Sequence, residues 1–170
     1  MSRTARLRSV LFDLDGTLLD TAPDFATVMN LLLAENDCAP MAYDTVRRTV
    51  SNGARALVRK AFGITEDEPR FEALRLRLLE LYERHLVVDT MPFPGVVELL
   101  GELGQRGISW GVVTNKPSWL AAPLMARVAL RPELGRLNLP AATVVPSAET
   151  ASQFSTFASG TGSRDEFQGR

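Results

Sequence analysis

The sequence predicts an α/β architecture, a parallel sheet with an all-helical unit inserted behind its first strand. Three observations lead there. Two short β-favouring runs, residues 7–14 and 108–113, each stop abruptly at polar residues, Asp13/Asp15 and Thr114-Asn115-Lys116. Helical periodicity precedes and follows the second run, as parallel strands require, because they must be joined by a crossover. The helical pattern over residues 21–91 is too long for one crossover and reads as a separate unit. Composition agrees: 170 residues, 45% hydrophobic and 23% charged, suit one globular domain or one domain with an insertion.

The elements follow in order. Residues 7–14 form a buried central strand delivering its carboxyl end into a turn at Gly16. Thr21 is placed to cap a helix, with Pro23 in its first turn and Asp24 near the positive end of its dipole. Phe25, Val28, Met29, Leu32 and Leu33 then share one face. Asp44 is placed to cap a second helix reaching about Val50, which Ser51-Asn52-Gly53 breaks. Residues 54–62 form a third, stopped by Gly63, and residues 66–88 hold the longest helical pattern. Asp89 to Pro94 contains two prolines and reads as a linker. Val96, Val97, Leu100 and Leu103 make the next stripe, and Pro117-Ser118 opens a helix through about Leu130. Trp110 is expected in the core, and Trp119 packed on the sheet. Residues 141–145 offer a third strand. Residues 147–170, with 11 of 24 positions Ser, Thr or Gly and no period, are expected to be disordered. The division is therefore a core at 1–20 and 92–146, a helical cap at 21–91 and a tail at 147–170.

Charge and cysteine content exclude several classes. With 19 basic and 20 acidic side chains, nothing favours nucleic acid or an anionic membrane as partner. Cys38 is the single cysteine, so no internal disulfide forms. Apolar runs fall short of the roughly 18–20 residues that span a bilayer, and no signal-peptide core follows the basic N-terminus. A cytoplasmic location is expected. Oligomeric state is left open.

The chemistry sits in Phe12-Asp13-Leu14-Asp15-Gly16-Thr17-Leu18. Two carboxylates two residues apart at a strand end repel unless a proton or a cation lies between them. That favours Mg²⁺, a hard ion with oxygen ligands, and offers two separable roles, nucleophile and acid/base. The plainer reading is a turn with solvated aspartates. The apolar strand before the pair and Thr-Leu behind it count against that.

Asp13-Leu-Asp-Gly-Thr-Leu-Leu-Asp20 resembles the first motif of the haloacid dehalogenase-like hydrolases. Thr21-Ala-Pro-Asp24 and Val112-Val-Thr-Asn-Lys-Pro117 resemble the phosphoglycolate phosphatase branch, and Ser51-Asn-Gly-Ala-Arg-Ala56 is similar to N-acetylmuramic acid 6-phosphate phosphatases. The resemblance spans about residues 7–130. It implies a Rossmann-like core with a helical cap, and a phosphatase of small phosphorylated metabolites. By that resemblance Asp13 is the nucleophile and Asp15 the acid and then the base. The Asp13 carboxylate and the Asp15 backbone carbonyl hold Mg²⁺, and Thr114 with the Asn115 N–H binds phosphate. Lys116, beside them, is a candidate phosphate contact. Arg55 is a candidate contact for a substrate carboxylate or hydroxyl, against the alternative of a surface arginine on a cap helix.

The resemblance also implies a lysine in a Lys-Pro context after Thr114 and an acidic pair on a further strand. The chain has no lysine after Lys116, and its later acids, Glu133, Glu149, Asp165 and Glu166, lie on no hydrophobic strand. The first strand is accordingly expected to expose an edge. A shifted frame or premature end in a GC-rich gene, suggested by two lysines among 19 basic residues, would account for this. Three alternatives stand: an impaired phosphatase, a catalytically inactive remnant that binds phosphate or a partner, and an assembly that buries the edge.

Overall fold

The computed structural model describes residues 7–129 and 144–146. The elements run in chain order β1 (Ser9–Phe12), β2 (Leu19–Asp20), α1 (Ala22–Glu35), α2 (Tyr43–Thr49), a 3₁₀ turn (Val50–Asn52), α3 (Gly53–Phe62), α4 (Phe71–Arg84), β3 (Met91–Pro92), α5 (Val96–Gln105), β4 (Ser109–Thr114), α6 (Ser118–Ala129) and β5 (Val144–Pro146). They divide into a sheet unit, Met1–Leu14 with Pro94–Arg170, and a helical unit, Asp15–Phe93.

In the sheet unit, the strand order is β1-β4-β5, all parallel. The register pairs Phe12 with Val112 and Thr114 with Pro146. Parallel pairing needs the intervening chain to return to the same end, and α5 supplies the last leg before β4. Trp110, Gly111, Val112 and Thr114 are buried along β4, and Trp110 meets Phe12 edge-on at 6.3 Å. All four β1 residues are only half-buried, and among the described residues β1 pairs with β4 alone. Of the third-strand expectation, 144–146 is a strand. Residues 141–143 and the tail 147–170 lie outside the described residues.

The helical unit is built on α1 and α4. Phe25, Val28, Met29, Leu32 and Leu33 are all buried, as their spacing predicts. Phe25 stacks on Tyr82 of α4 with centroids 4.0 Å apart. The short ribbon β2–β3 is antiparallel, Leu19 opposite Pro92 and Asp20 opposite Met91, and it gathers residues 15–20 into this unit. The expected linker at 89–94 therefore contains a strand. Gly63, at φ 64°, stops α3 in the left-handed conformation that glycine adopts without steric cost.

Several local expectations are corrected. Helix α2 begins before Asp44, whose carboxylate sits in the first turn and not at the cap, since Ala42 takes that position. The long helical pattern starts only at Phe71, because residues 65–70 close hydrogen-bonded turns, Glu68 N to Thr65 O and Phe71 N to Glu68 O. Trp119 is 48% exposed, so it does not pack on the sheet as expected, while Leu120, Ala121 and Leu124 fill that face of α6. Thr21 occupies the N-cap position of α1 without capping it.

Candidate active site

In the sheet unit, Asp13 directly follows β1 and Thr114 ends β4. Because the strands are parallel with Phe12 opposite Val112, both residues lie at the carboxyl end of the sheet. In open parallel sheets that end is where ligands bind. Asp13 is exposed and its Oδ1 accepts the Leu14 N–H at 2.8 Å. Thr114 is buried, and its Oγ1 accepts the Lys116 N–H at 3.1 Å, which folds the residues after β4 back over the strand end. A hydroxyl that accepts from behind keeps its own proton to donate. Asn115 is exposed, and Lys116 is 8% exposed. The fold therefore gathers Asp13, Thr114, Asn115 and Lys116 at one end of two neighbouring strands.

Asp15 opens the helical unit. Its Oδ1 accepts the Thr21 hydroxyl at 2.7 Å. The turn between them is tight: the Gly16 N–H donates to Leu19 O at 2.9 Å, and Gly16 has φ 81°. A Cβ added to Gly16 would lie 2.2 Å from Ser51 Oγ, in the 3₁₀ turn behind α2. Only glycine satisfies both the dihedral and that approach. Sequence reading gave no hint that Ser51 faces this turn, or that Thr21 contacts Asp15.

Arg55 lies on α3 with its side chain 54% exposed. It donates to Glu66 Oε2 at 2.8 Å, Arg59 stands 3.7 Å from the other oxygen of that carboxylate, and the Arg55 guanidinium lies 6.0 Å from the Phe71 ring centroid.

A second acidic cluster was not foreseen. Asp24, Asp89 and His85 bring ligand atoms within 4.8 Å of one another. Asp24 is fully buried, however, and its oxygens accept from Val88 N, Asp89 N, Thr90 N and the Thr90 hydroxyl, the last at 2.6 Å. That carboxylate is a clamp on the segment after α4, where Val87 is held at φ 61°, a conformation costly for a β-branched residue. Burial pushes the nearby Tyr82 phenol well above its ordinary range, and the charges of Asp15 and Asp24 push it further.

With this geometry in place, comparison with known proteins is decisive. The haloacid dehalogenase-like hydrolase family model matches residues 10–130, well over half of the chain. The chain belongs to the haloacid dehalogenase-like hydrolases. It is similar to an N-acetylmuramic acid 6-phosphate phosphatase of Pseudomonas aeruginosa, with 47% identity over 123 residues, 72% of this chain and 54% of that protein. It is also similar to a phosphoglycolate phosphatase of Caulobacter vibrioides, with 41% identity over 127 residues, 73% of this chain and 54% of the relative. The chain thus spans about half the length of these curated relatives. The fold matches the crystal structure of a predicted phosphoglycolate phosphatase from Haemophilus somnus, with TM-score 0.71 and 23% identity over 92% of this chain and 73% of that one. Membership explains why Asp13 and Thr114 share one sheet end. Among the described residues of this family member, no helix is long and apolar enough to cross a membrane.

Proposed function

We propose that the chain carries the nucleophile and phosphate-binding half of a Mg²⁺-dependent phosphomonoesterase acting on small phosphorylated acids or sugars. The observation that carries the reading is the shared sheet end of Asp13 and Thr114. Phosphoryl transfer asks mainly for positioning and charge neutralisation, and hydrogen-bond donors beside a carboxylate at a strand end provide both. In this reading an Asp13 oxygen bonds to phosphorus as the ester P–O bond breaks. Asp15 gives its proton to the leaving alcohol. Asp15 then takes a proton from water, whose oxygen displaces Asp13 and releases phosphate. The Thr114 hydroxyl and Asn115 N–H hold phosphate oxygens, with Lys116 adding positive charge.

The exposed Asp13 carboxylate and the Asp15 carbonyl are hard oxygen donors of the type Mg²⁺ prefers. Those groups would hold the ion, which supplies charge neutralisation of the phosphate. Arg55, paired with Glu66, is the candidate cap contact to substrate; an incoming carboxylate would have to compete with that partner. The relatives' names point to 2-phosphoglycolate and N-acetylmuramic acid 6-phosphate as substrates to try. Phosphate binding without turnover is the second reading, since Thr114, Asn115 and Lys116 at the sheet end can hold phosphate whether or not Asp13 reacts.

The test is phosphate release from both substrates with and without Mg²⁺, beside Asp13→Asn, with circular dichroism on each sample. Mg²⁺-dependent release lost in Asp13→Asn is expected. Release unchanged in that variant would sink the assignment. Phosphate binding by a folded chain that releases nothing would establish the second reading.

A further inference from the structure

Trp119 presents an anomaly. A tryptophan is a large apolar side chain that is usually well covered, yet this one is 48% exposed on a helix whose Leu120, Ala121, Leu124 and Met125 are buried. A single exposed apolar residue is ordinary on a protein surface, so its place in the fold decides what it means. Trp119 is the second residue of α6, three positions after Lys116 and five after Thr114, in the same sheet unit. Side chains of an α-helix lean toward its N-terminus and cover the turn before their own Cα. For Trp119 that preceding turn is Lys116-Pro117-Ser118, the segment that leaves the carboxyl end of β4. The indole therefore extends toward the end of the sheet that carries Asp13 and Thr114. Its anchorage is firm. The Leu120 and Ala121 N–H groups both donate to Pro117 O at 2.9 Å, the Lys116 N–H donates to Thr114 Oγ1 at 3.1 Å, and the proline ring fixes a backbone dihedral between them.

We propose that Trp119 is a specificity-determining residue of this site, an apolar platform for the ring of a sugar phosphate whose phosphate group is held by Thr114, Asn115 and Lys116. This rests on the reading of those three residues as the phosphate site and sharpens it by naming a ring-bearing substrate. A pyranose is polar at its rim and carries C–H groups on its faces. An indole is flat, apolar and broad enough to cover such a face. It has only two side-chain torsions, so little freedom is lost when a ligand settles on it. Ligand sites combine apolar walls of this kind with a few polar groups that fix orientation. Here those polar groups lie three to five residues back along the chain. An acyclic phosphate held by the same groups has no ring face to lay on the indole.

The experiment measures binding by calorimetry to the full chain carrying Asp13→Asn, so that no ligand is consumed, and to the same chain with Trp119→Ala or Trp119→Phe added. The ligands are glucose 6-phosphate, glycerol 3-phosphate and inorganic phosphate. Trp119→Ala should weaken glucose 6-phosphate about tenfold, the size expected when the contact area of one sugar face returns to water, and leave the other two ligands within about twofold. Trp119→Phe should recover most of the loss. Fluorescence supplies a readout that a merely structural role would not move. Glucose 6-phosphate should shift the emission of the exposed indole to shorter wavelength, and inorganic phosphate should not. The shift should vanish in Trp119→Phe, which leaves only the buried Trp110 to report. Unchanged glucose 6-phosphate affinity in Trp119→Ala, an equal loss for all three ligands, or a sugar phosphate bound no tighter than inorganic phosphate by the parent chain would overturn the proposal. Inorganic phosphate separates this failure from that of the underlying reading: if the parent chain binds none of the three ligands, the phosphate site itself falls and the platform with it.

Discussion

The two units of the chain differ in how their apolar surface is used. In the helical unit the inward residues of α1 and α4 are closed to solvent, with Val28, Met29, Leu32 and Leu78 at 0% exposure. Its buried carboxylate, Asp24, is surrounded by donors from its own unit. In the sheet unit β4 is buried, yet β1, which carries Asp13 at its end, is half-buried at every position. The lesson is that recognition of the family and completeness of packing are separate properties. Strand β1, which leads into Asp13, has no fully buried residue, while α1 and α4 each bury a continuous apolar face.

The contrast can be broken at its strongest point first. Asp24→Asn should cost the helical unit about 4 kcal/mol, because buried N–H donors lose a charged acceptor and face an amide instead; urea unfolding followed by circular dichroism measures it. Leu78→Ala should cost about 3 kcal/mol by opening a cavity in a sealed core. Leu11→Ala in half-buried β1 should cost about 1 kcal/mol in the same assay. Equal losses from the two leucine variants would erase the distinction between the units.

Tyr82→Phe tests the helical core through pH. Folding raises the phenol above its ordinary value of 10.0, so this contribution to stability is complete below that pH and is lost as pH climbs past it. The melting temperature of the wild type should fall between about pH 9 and 11, and that of Tyr82→Phe should fall less. The smallest effect concerns the surface. Hydrogen bonds from Arg77 hold the Glu35 and Glu80 carboxyls below their ordinary value of 4.5. Their contribution is present above that value and disappears as pH falls through the lowered one. Both are exposed, so Arg77→Gln should lower the melting temperature at neutral pH only slightly, and about 1 M salt should remove most of the difference.

Much of this was legible in the sequence wherever the cause is local. The face of α1 follows from the spacing of Phe25 to Leu33, the stop of α3 from Gly63, and the placement of Asp13 and Thr114 from the apolar runs that precede them. The acidic clamp at Asp24 was not legible, because its partners lie 64 to 66 residues away and most are backbone amides, which every sequence has. The Thr21 hydroxyl was misassigned for a related reason. Helix-capping preference is a statistical statement about one position, and the competing acceptor on Asp15 comes within reach only once the Gly16 turn is made. Trp119 failed because α6 is apolar nearly all round, so its pattern alone did not choose which side faces outward. Arg55 could not be resolved by composition, since its partner Glu66 arrives from beyond the end of α3.

The division of the chain has an optical consequence. Both tryptophans, Trp110 and Trp119, belong to the sheet unit, and the single cysteine, Cys38, is exposed in the helical unit. Native fluorescence therefore reports on one unit, and a dye attached to the lone thiol reports on the other. No engineered residue is needed. One labelled sample, followed at two wavelengths during denaturation, yields a separate midpoint for the sheet unit and for the helical unit.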